Sequence, residues 1–272
     1  MQVTVSTQWL AKNIKDVRIL DASWYLPTEP RDTFQEYQST HISGAQFFDI
    51  DVIADTSSDL PHMVPSADVF REHVESMGIS NSETVVVYDT HGIFSAPRVW
   101  WLFRVMGHVN VFVLDGGLPK WVAEGRVTSD RPVTPRQGNF DIQLDADRIF
   151  DAAAVLGTAA QVIDARPPAR FAGQAAEPRP NTRSGHIPNS SNLFFKDVLN
   201  DGRTLKSEAE LRQTFADAGV DLTKPIVTSC GSGVTAAVLT MALKQLDHPD
   251  VALYDGSWSE WGARDDLPIA TS

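Results

Sequence analysis

Residues 226–237 read Ile-Val-Thr-Ser-Cys-Gly-Ser-Gly-Val-Thr-Ala-Ala, and they hold the only cysteine of the 272-residue chain. A β-branched run leads into Cys230, two glycines at Gly231 and Gly233 let the backbone turn tightly, and helical periodicity begins at Val234. The pattern predicts a strand that turns into a helix at the cysteine. Backbone N–H groups and the helix N-terminus would converge near the sulfur and favour its thiolate. Cys230 is therefore the candidate nucleophile.

Composition limits the class of protein and its partners. The chain is 42% hydrophobic and carries a formal net charge of -12, which is typical of a globular protein and argues against nucleic acid or an anionic membrane as partner. A single cysteine cannot form an intramolecular disulfide, and residues 1–20 contain no continuous apolar run of the secretory type. We therefore expect a cytoplasmic protein that neither spans nor binds a membrane.

The chain contains an internal repeat. Four short landmarks recur in the same order: residues 20–22 and 163–165, 41–44 and 186–189, 85–89 and 226–230, and 114–117 and 254–257. The distance between the two copies stays close to half the chain length, which chance similarity would not preserve across four landmarks. The sequence therefore predicts a duplicated domain.

Each half alternates strand-like and helix-like segments, which predicts an α/β fold with a parallel sheet flanked by helices on both faces. We predict a first domain over residues 1–128, a linker over 129–146 and a second domain over 147–272. Asp89 occupies in the first half the place that Cys230 fills in the second. A carboxylate cannot perform thiolate chemistry, so the first domain is predicted to be non-catalytic and to shape the site across the interface.

These features resemble the tandem-rhodanese sulfurtransferases over essentially the whole chain. The closing signature of that family is similar to residues 251–261, and its histidine signature occurs twice, at His41 and His186. Ser43 and Asn189 depart from the usual residues, both in turns. The resemblance implies two tandem rhodanese-like domains, a repeat architecture, and sulfur transfer through a cysteine persulfide. A single cysteine and scattered histidines give no recognisable spacing of metal ligands, so we expect no metal site and no cofactor. For the two histidines we predict a structural role in holding loops.

The resemblance also implies a donor. Thiosulfate sulfurtransferases usually carry basic residues after the cysteine, whereas the loop here is neutral and resembles that of 3-mercaptopyruvate sulfurtransferases. Arg170 and Arg179 match the two arginines that bind the carboxylate and keto oxygens of mercaptopyruvate in this family, and guanidinium groups suit that task because they donate paired hydrogen bonds. The expected substrate-binding residues are Arg170, Arg179, Gly231, Ser232, Gly233, Val234 and Thr235.

A second set of residues is implied only by the family. Its members share an Asp, His and Ser set that falls here on Asp51, His62 and Ser232. With Cys230, these three form the expected catalytic group, in which the histidine moves protons and the serine contacts the substrate thiol. Because His62 lies in the first half, the domain interface must bring it to the cysteine loop.

Other functions stay open at this stage. The nearest alternative is transfer from thiosulfate to cyanide, and an alternative of another class is a non-enzymatic sulfur carrier or binding module. A cysteine-dependent phosphatase is disfavoured, because such enzymes bind phosphate with an arginine six residues after the cysteine and this position is Ala236 here. The expected acceptor is thioredoxin or another thiol, because the chain has no second cysteine to resolve its own persulfide. We expect a monomer.

Overall fold

The computed structural model describes residues 2–201 and 203–271. In the first half the elements are β1 Thr4–Val5, α1 Thr7–Asn13, β2 Val17–Asp21, α2 Thr33–Ser39, β3 His41–Ile42, β4 Ala45–Phe47, α3 Ala67–Ser76, β5 Thr84–Tyr88, α4 Ala96–Val105, β6 Val111–Leu114, α5 Gly117–Ala123 and β7 Thr128–Ser129. In the second half they are β8 Ile149–Phe150, α6 Ala152–Gly157, β9 Gln161–Asp164, α7 Pro168–Phe171, β10 Ser191–Asn192, β11 Leu199–Asn200, β12 Thr204–Leu205, α8 Glu208–Asp217, β13 Ile226–Ser229, α9 Ala236–Gln245, β14 Val251–Tyr254 and α10 Ser257–Trp261, with 3₁₀ turns at Ala146–Arg148 and Phe195–Val198. Within the described residues, no helix combines the length and apolar character that crossing a membrane requires.

Each half contains one five-stranded sheet, and the two sheets have the same topology. The strand order is β1-β6-β5-β2-β4 in the first half and β8-β14-β13-β9-β10 in the second. All pairings inside both sheets are parallel. Two short antiparallel pairs, β3 with β7 and β11 with β12, lie outside the sheets. The predicted α/β repeat is confirmed, and β5 and β13 occupy the same central position in their sheets.

The helix starts and stops follow local signals in the sequence. Ser6 and Ser66 cap α1 and α3, because each side-chain oxygen accepts the backbone N–H three residues later. Gly78, just beyond α3, has φ +72°, the left-handed conformation that glycine adopts without strain. Helix α9 begins at Ala236 rather than at Val234, because residues 231–235 form the loop around the cysteine.

Two equivalent helices form the contact between the halves. Helices α4 and α9 follow β5 and β13, pack against each other, and are apolar on nearly every face. Their buried side chains join one hydrophobic cluster that contains residues of both halves, such as Trp100 and Leu239. The loops that precede these helices are therefore brought to the domain interface.

The segment predicted as a linker lies along the first domain. Strand β7 pairs with β3, and Phe140 is buried at 1% exposure among first-half aromatic rings. The Gln143 N–H donates to the carbonyl oxygen of Met106 at 3.0 Å. These contacts attach the chain between the two sheets to the first of them.

Candidate active site

Cys230 stands at the carboxyl end of β13, the central strand of the second sheet. Parallel sheets place ligands at this edge. The backbone around it is fixed by the start of α10: the Cys230 N–H donates to Ser257 Oγ at 3.2 Å, and the Cys230 carbonyl accepts the Trp258 N–H at 3.0 Å. The next carbonyl, of Gly231, accepts both the N–H and the hydroxyl of Ser259. The signature residues of the closing motif thus hold the cysteine loop in place.

The equivalent loop of the first half shows what this backbone binds. Asp89 follows β5 as Cys230 follows β13, and its carboxylate is fully buried. It accepts hydrogen bonds of 2.7–3.0 Å from the backbone N–H groups of residues 91, 92, 94, 95 and 96. A loop of this shape is therefore a cradle for negative charge, filled in the first half by the chain's own carboxylate.

The cradle of the second half has no such internal acceptor. Among the described residues, the backbone N–H groups of residues 231–235 donate no hydrogen bond to another group of the chain. Gly233 has φ +75°, and a Cβ there would lie 2.9 Å from Arg98 Nη1, so only glycine fits. The Cys230 loop can therefore offer its N–H groups to a thiolate, a persulfide or a substrate anion.

Asp89→Asn tests the cradle interpretation. The asparagine oxygen can still accept backbone N–H hydrogen bonds, but the asparagine NH₂ group replaces Oδ2. This donor would face the three N–H groups that now donate to Asp89 Oδ2. Since buried unsatisfied groups cost about 1–3 kcal/mol each, we expect the free energy of unfolding to fall by about 2–4 kcal/mol in urea titrations. The exposed Asp59→Asn is the matched control and should change it by less than about 0.5 kcal/mol. An Asp89→Asn protein as stable as this control would contradict the interpretation.

A cavity of about 600 Å³ opens beside the cysteine loop, between the two halves. Cys230 is only 1% exposed, yet it lines this cavity. The predicted site residues in its wall are Cys230, Gly231, Ser232, Val234, Thr235, Arg170 and Arg179. The first half contributes Trp24, Leu26, Glu29, His91, Ile93 and Phe94. Gly233 lies behind the loop against Arg98. The structure therefore brings together most of the predicted binding set.

The two predicted arginines differ in their partners. A Cβ placed on Gly231 would lie 3.4 Å from Arg170 Nη2 and 4.0 Å from Arg179 Nη1, so both guanidinium groups lie against the cysteine loop. Arg170 is paired with Glu177, which also binds Arg166 at 2.8 Å. Arg179 forms no ion pair within the described residues. Arg179 is therefore the guanidinium with the most free donors for a substrate carboxylate.

Burial lowers the pKa of Arg179, and the neighbouring charge of Arg170 lowers it further, whereas the Cys230 thiolate opposes both effects. An arginine nevertheless keeps its charge at neutral pH. The structure thus holds a half-buried cation beside the cysteine loop, which attracts an anionic substrate.

His62 and Asp51 form a close pair, in which the His62 side chain is buried and the Asp51 side chain is 60% exposed. His62 Nδ1 lies 2.9 Å from Asp51 Oδ1, and Trp24 Nε1–H donates to Asp51 Oδ2 at 3.0 Å. Burial alone would raise the pKa of Asp51, but the close approach of His62, the hydrogen bond from Trp24 and the charge of Arg179 hold it below its usual value. Both ring nitrogens of His62 are buried, and neither has a partner in a well-aligned hydrogen bond within the described chain. Trp24, which lines the cavity, contacts both members of this pair: its ring lies 4.8 Å from that of His62, and its N–H donates to Asp51.

Ser232 is placed in the cavity wall at 5% exposure, but no hydrogen bond within the described residues joins it to His62. The Asp51–His62 contact that the resemblance implies is therefore present, and Ser232 stands apart from it. His41 and His186 lie 2.7 and 2.8 Å from the carbonyl oxygens of Tyr37 and Phe171. Those contacts match the loop-holding role predicted for both histidines.

Sequence reasoning missed a buried ion pair that joins the halves beneath the loop. Arg98 of α4 is fully buried, and its Nη2 lies 2.6 Å from Asp255 Oδ1 and also donates to the carbonyl of His62. Asp255 Oδ2 accepts the Val64 N–H at 2.7 Å. The pair therefore ties the His62 segment of the first domain to the closing motif of the second. Asp255 belongs to the closing signature, residues 251–261, but no sequence pattern around Arg98 identifies Arg98 as its partner.

Two matching α/β units, the second with a cysteine cradle at the end of its central strand, define a two-domain protein of the rhodanese type. A sequence model of the family, described as Rhodanese-like domain, matches residues 6–124 and 147–264. The chain belongs to the rhodanese family.

Relatives and solved structures agree with this assignment. The 3-mercaptopyruvate sulfurtransferase of Escherichia coli K12 is 43% identical over 97% of this chain and 96% of its own length. The thiosulfate sulfurtransferase of Cricetulus griseus is also 43% identical, over 94% and 91%. The crystal structure of SseA from Escherichia coli, described as a 3-mercaptopyruvate sulfotransferase, superposes with a TM-score of 0.86 at 39% identity and covers 95% of this chain and 99% of that one.

Proposed function

We propose that the protein is a sulfurtransferase that moves sulfur from 3-mercaptopyruvate, through a persulfide on Cys230, to a thiol acceptor or cyanide, and releases pyruvate. The observation that carries the proposal is the placement of Cys230, Arg170 and Arg179 in one cavity wall. The sulfur would be the nucleophile, and the arginines would bind the carboxylate and keto oxygens. Relatives named 3-mercaptopyruvate sulfurtransferase, at 41–43% identity over nearly the whole chain, support it.

The proposed reaction has two displacements. The Cys230 thiolate attacks the sulfur of mercaptopyruvate, the C–S bond breaks, and its electron pair leaves as the pyruvate enolate, which then takes a proton. The product on the enzyme is Cys230–S–SH. Guanidinium groups and the free N–H groups of the loop stabilise the charge that develops on the keto acid and the persulfide. Atoms balance without an external oxidant.

Ser232 and the His62–Asp51 pair are proposed as accessory catalytic groups. The Ser232 hydroxyl lines the same cavity as Cys230 and would contact the substrate thiol. The Asp51 carboxylate, which also accepts the Trp24 indole N–H, would orient the imidazole of His62. We also propose that the protein is a cytoplasmic monomer. Its proposed domains are residues 1–128 and 147–272, joined by a linker over residues 129–146.

Thiosulfate is the second candidate donor, and the hamster relative favours it. The loop after Cys230 contains no cationic side chain, which supports mercaptopyruvate instead. Thiosulfate is a dianion, and positive charge in this loop would strengthen its binding. The ratio of kcat/KM for the two donors, with the same acceptor, tests the choice. We expect mercaptopyruvate to be preferred, and a preference for thiosulfate would reverse the assignment of the donor.

Arg179→Ala should separate an enzyme from a sulfur carrier. Loss of a charged hydrogen-bond donor to the substrate costs about 1.5–3 kcal/mol, so kcat/KM for mercaptopyruvate should fall about 10- to 100-fold. Alkylation of Cys230 by neutral iodoacetamide, measured in parallel, reports any change in the reactivity of the sulfur itself, so that loss of substrate binding can be separated from it. The exposed Arg71→Ala serves as the control. An Arg179→Ala protein with unchanged kcat/KM would favour the carrier.

A further inference from the structure

The backbone of His62 has a conformation that few residues other than glycine adopt. Its φ is +61°, in the left-handed region, where the Cβ of the side chain is crowded and neighbouring contacts must compensate. The residue is buried, and its ring lies 4.8 Å from that of Trp24 in the cavity wall. The contacts that hold this backbone therefore also decide where the imidazole lies.

Both members of the buried Arg98–Asp255 pair hold this backbone. Arg98 Nη2 donates to the carbonyl oxygen of His62 and lies 2.6 Å from Asp255 Oδ1. Asp255 Oδ2 accepts the Val64 N–H at 2.7 Å. The two side chains are 0% and 3% exposed, so water does not compete for these contacts. One ion pair thus fixes the His62 peptide group and the chain two residues later.

The same pair lies directly behind the cysteine loop. A Cβ on Gly233 would lie 2.9 Å from Arg98 Nη1 and 3.1 Å from the carbonyl oxygen of Asp255. Two residues after Asp255 the chain enters α10, whose first hydroxyl accepts the Cys230 N–H. Arg98 comes from α4 of the first half, whereas Asp255 follows β14 of the second. The placement of His62 relative to the cysteine loop therefore depends on this one cross-domain pair.

The arginine is not the side chain that stability alone would favour here. Arg98 Nε and Nη1 are buried without a hydrogen-bond partner in the described part of the chain, and buried donors without partners are costly. Well-packed apolar side chains often stabilise such a position as well as an ion pair does. Apolar side chains could not, however, hold the His62 carbonyl and the Val64 N–H. These two contacts point to a role in placing His62.

We propose that Arg98 is a positioning residue of the sulfur-transfer reaction. Together with Asp255 it holds the His62 backbone in its left-handed conformation, and it thereby orients the imidazole only when the two domains are docked. This inference rests on the proposed function, in which His62 is an accessory catalytic group. Arg170 and Arg179 make no contact with this pair, so the binding of the donor does not depend on it. Loss of Arg98 therefore slows the chemical step and leaves substrate affinity nearly unchanged.

The test is a double-mutant cycle on the first turnover of the full-length protein, measured as pyruvate release from mercaptopyruvate without an acceptor. Arg98→Met should lower the rate constant at saturating donor about 10- to 100-fold, the scale for a misplaced catalytic group. The half-saturating donor concentration should change less than about threefold. In a protein that already carries His62→Asn, adding Arg98→Met should lower the rate constant less than about threefold, because no imidazole remains to be displaced. Asparagine is chosen because it tolerates the left-handed conformation.

A second variant separates positioning from stability. Arg98→Met with Asp255→Leu leaves no unpaired charge buried, so it should regain part of the resistance to urea while the first turnover stays slow. The matched control is Arg104→Met on the same helix, which removes a donor to the Val109 carbonyl and should leave the rate constant within about twofold of the wild type.

Three results would overturn the positioning role: an unchanged rate constant in Arg98→Met, an equal loss with and without His62→Asn, or a rate constant that recovers together with the resistance to urea. A wild-type rate in His62→Asn alone would overturn it as well, because Arg98 would then have no catalytic group to place. Failure of the wild type to gain a sulfur atom from mercaptopyruvate would instead overturn the proposed function. Intact mass distinguishes these two failures.

Discussion

Replacing Cys230 with serine is expected to lower pyruvate release from 3-mercaptopyruvate by at least about 10⁴-fold, the scale seen when a nucleophile is removed. A serine hydroxyl is not ionised near neutral pH and has no activating base within hydrogen-bond distance in the described chain. Nor can it hold the sulfur as a persulfide. Binding of the keto acid by Arg170 and Arg179 would remain, so substrate affinity should change little.

The fold should tolerate this substitution, which makes the result interpretable. The contacts that hold the loop run through the backbone of Cys230 and Gly231 to α10, and none uses the sulfur. Urea unfolding of Cys230→Ser should therefore lie within about 1 kcal/mol of the wild type. Steady-state pyruvate release with excess thiol measures the activity. A folded Cys230→Ser protein that retains a tenth of the wild-type rate would contradict the assignment of the nucleophile.

Arg98→Met is expected to have the largest effect on stability. The substitution keeps the length of the side chain but leaves Asp255 buried without its cation, and removing one partner of a buried pair costs about 3–5 kcal/mol. The His62 carbonyl loses its donor as well. Because this pair crosses the interface, the free energy of unfolding in urea should fall, and the His62 segment should become more accessible to proteolysis.

The exposed Arg71→Met, on helix α3, is the control for Arg98→Met. Arg71 pairs with Asp68 at the surface, where such pairs contribute about 0–1 kcal/mol. Replacing both partners, Arg98→Met with Asp255→Leu, should recover part of the loss, because no unpaired charge then remains buried. A loss of less than about 1 kcal/mol in Arg98→Met would show that the interface does not depend on this pair.

Much of the fold was predictable because its signals are local. Apolar runs ending at Asp89 and Cys230, capping serines such as Ser66, and the repeated landmarks each depend on neighbouring residues. Those patterns predicted two parallel sheets and placed the cysteine at a strand end, and the structure confirmed both. The boundary of α9 was placed two residues early, because Val234, which belongs to the loop, is spaced from Val238 as if it were one helical turn before it.

The partners inside the site were not predictable in the same way. Arg98 of α4 binds Asp255, which follows β14 and is 157 residues away, so the pair forms only when the two halves are packed together. Arg170 and Arg179 look equivalent in sequence, yet Glu177 neutralises the first and leaves the second free. Trp24 lines the cavity and also donates its indole N–H to Asp51, and no sequence pattern around Trp24 predicted either contact. Such roles depend on tertiary contacts that spacing along the chain does not encode.

The most direct measurement is the intact mass of the wild-type enzyme after mercaptopyruvate has been added without any acceptor. The expected result is a gain of one sulfur atom, located on the peptide that contains Cys230, with one pyruvate released per enzyme molecule and no gain in Cys230→Ser. An unchanged mass under conditions in which the enzyme turns over once a thiol is supplied, or a sulfur located on another peptide, would contradict persulfide formation at Cys230.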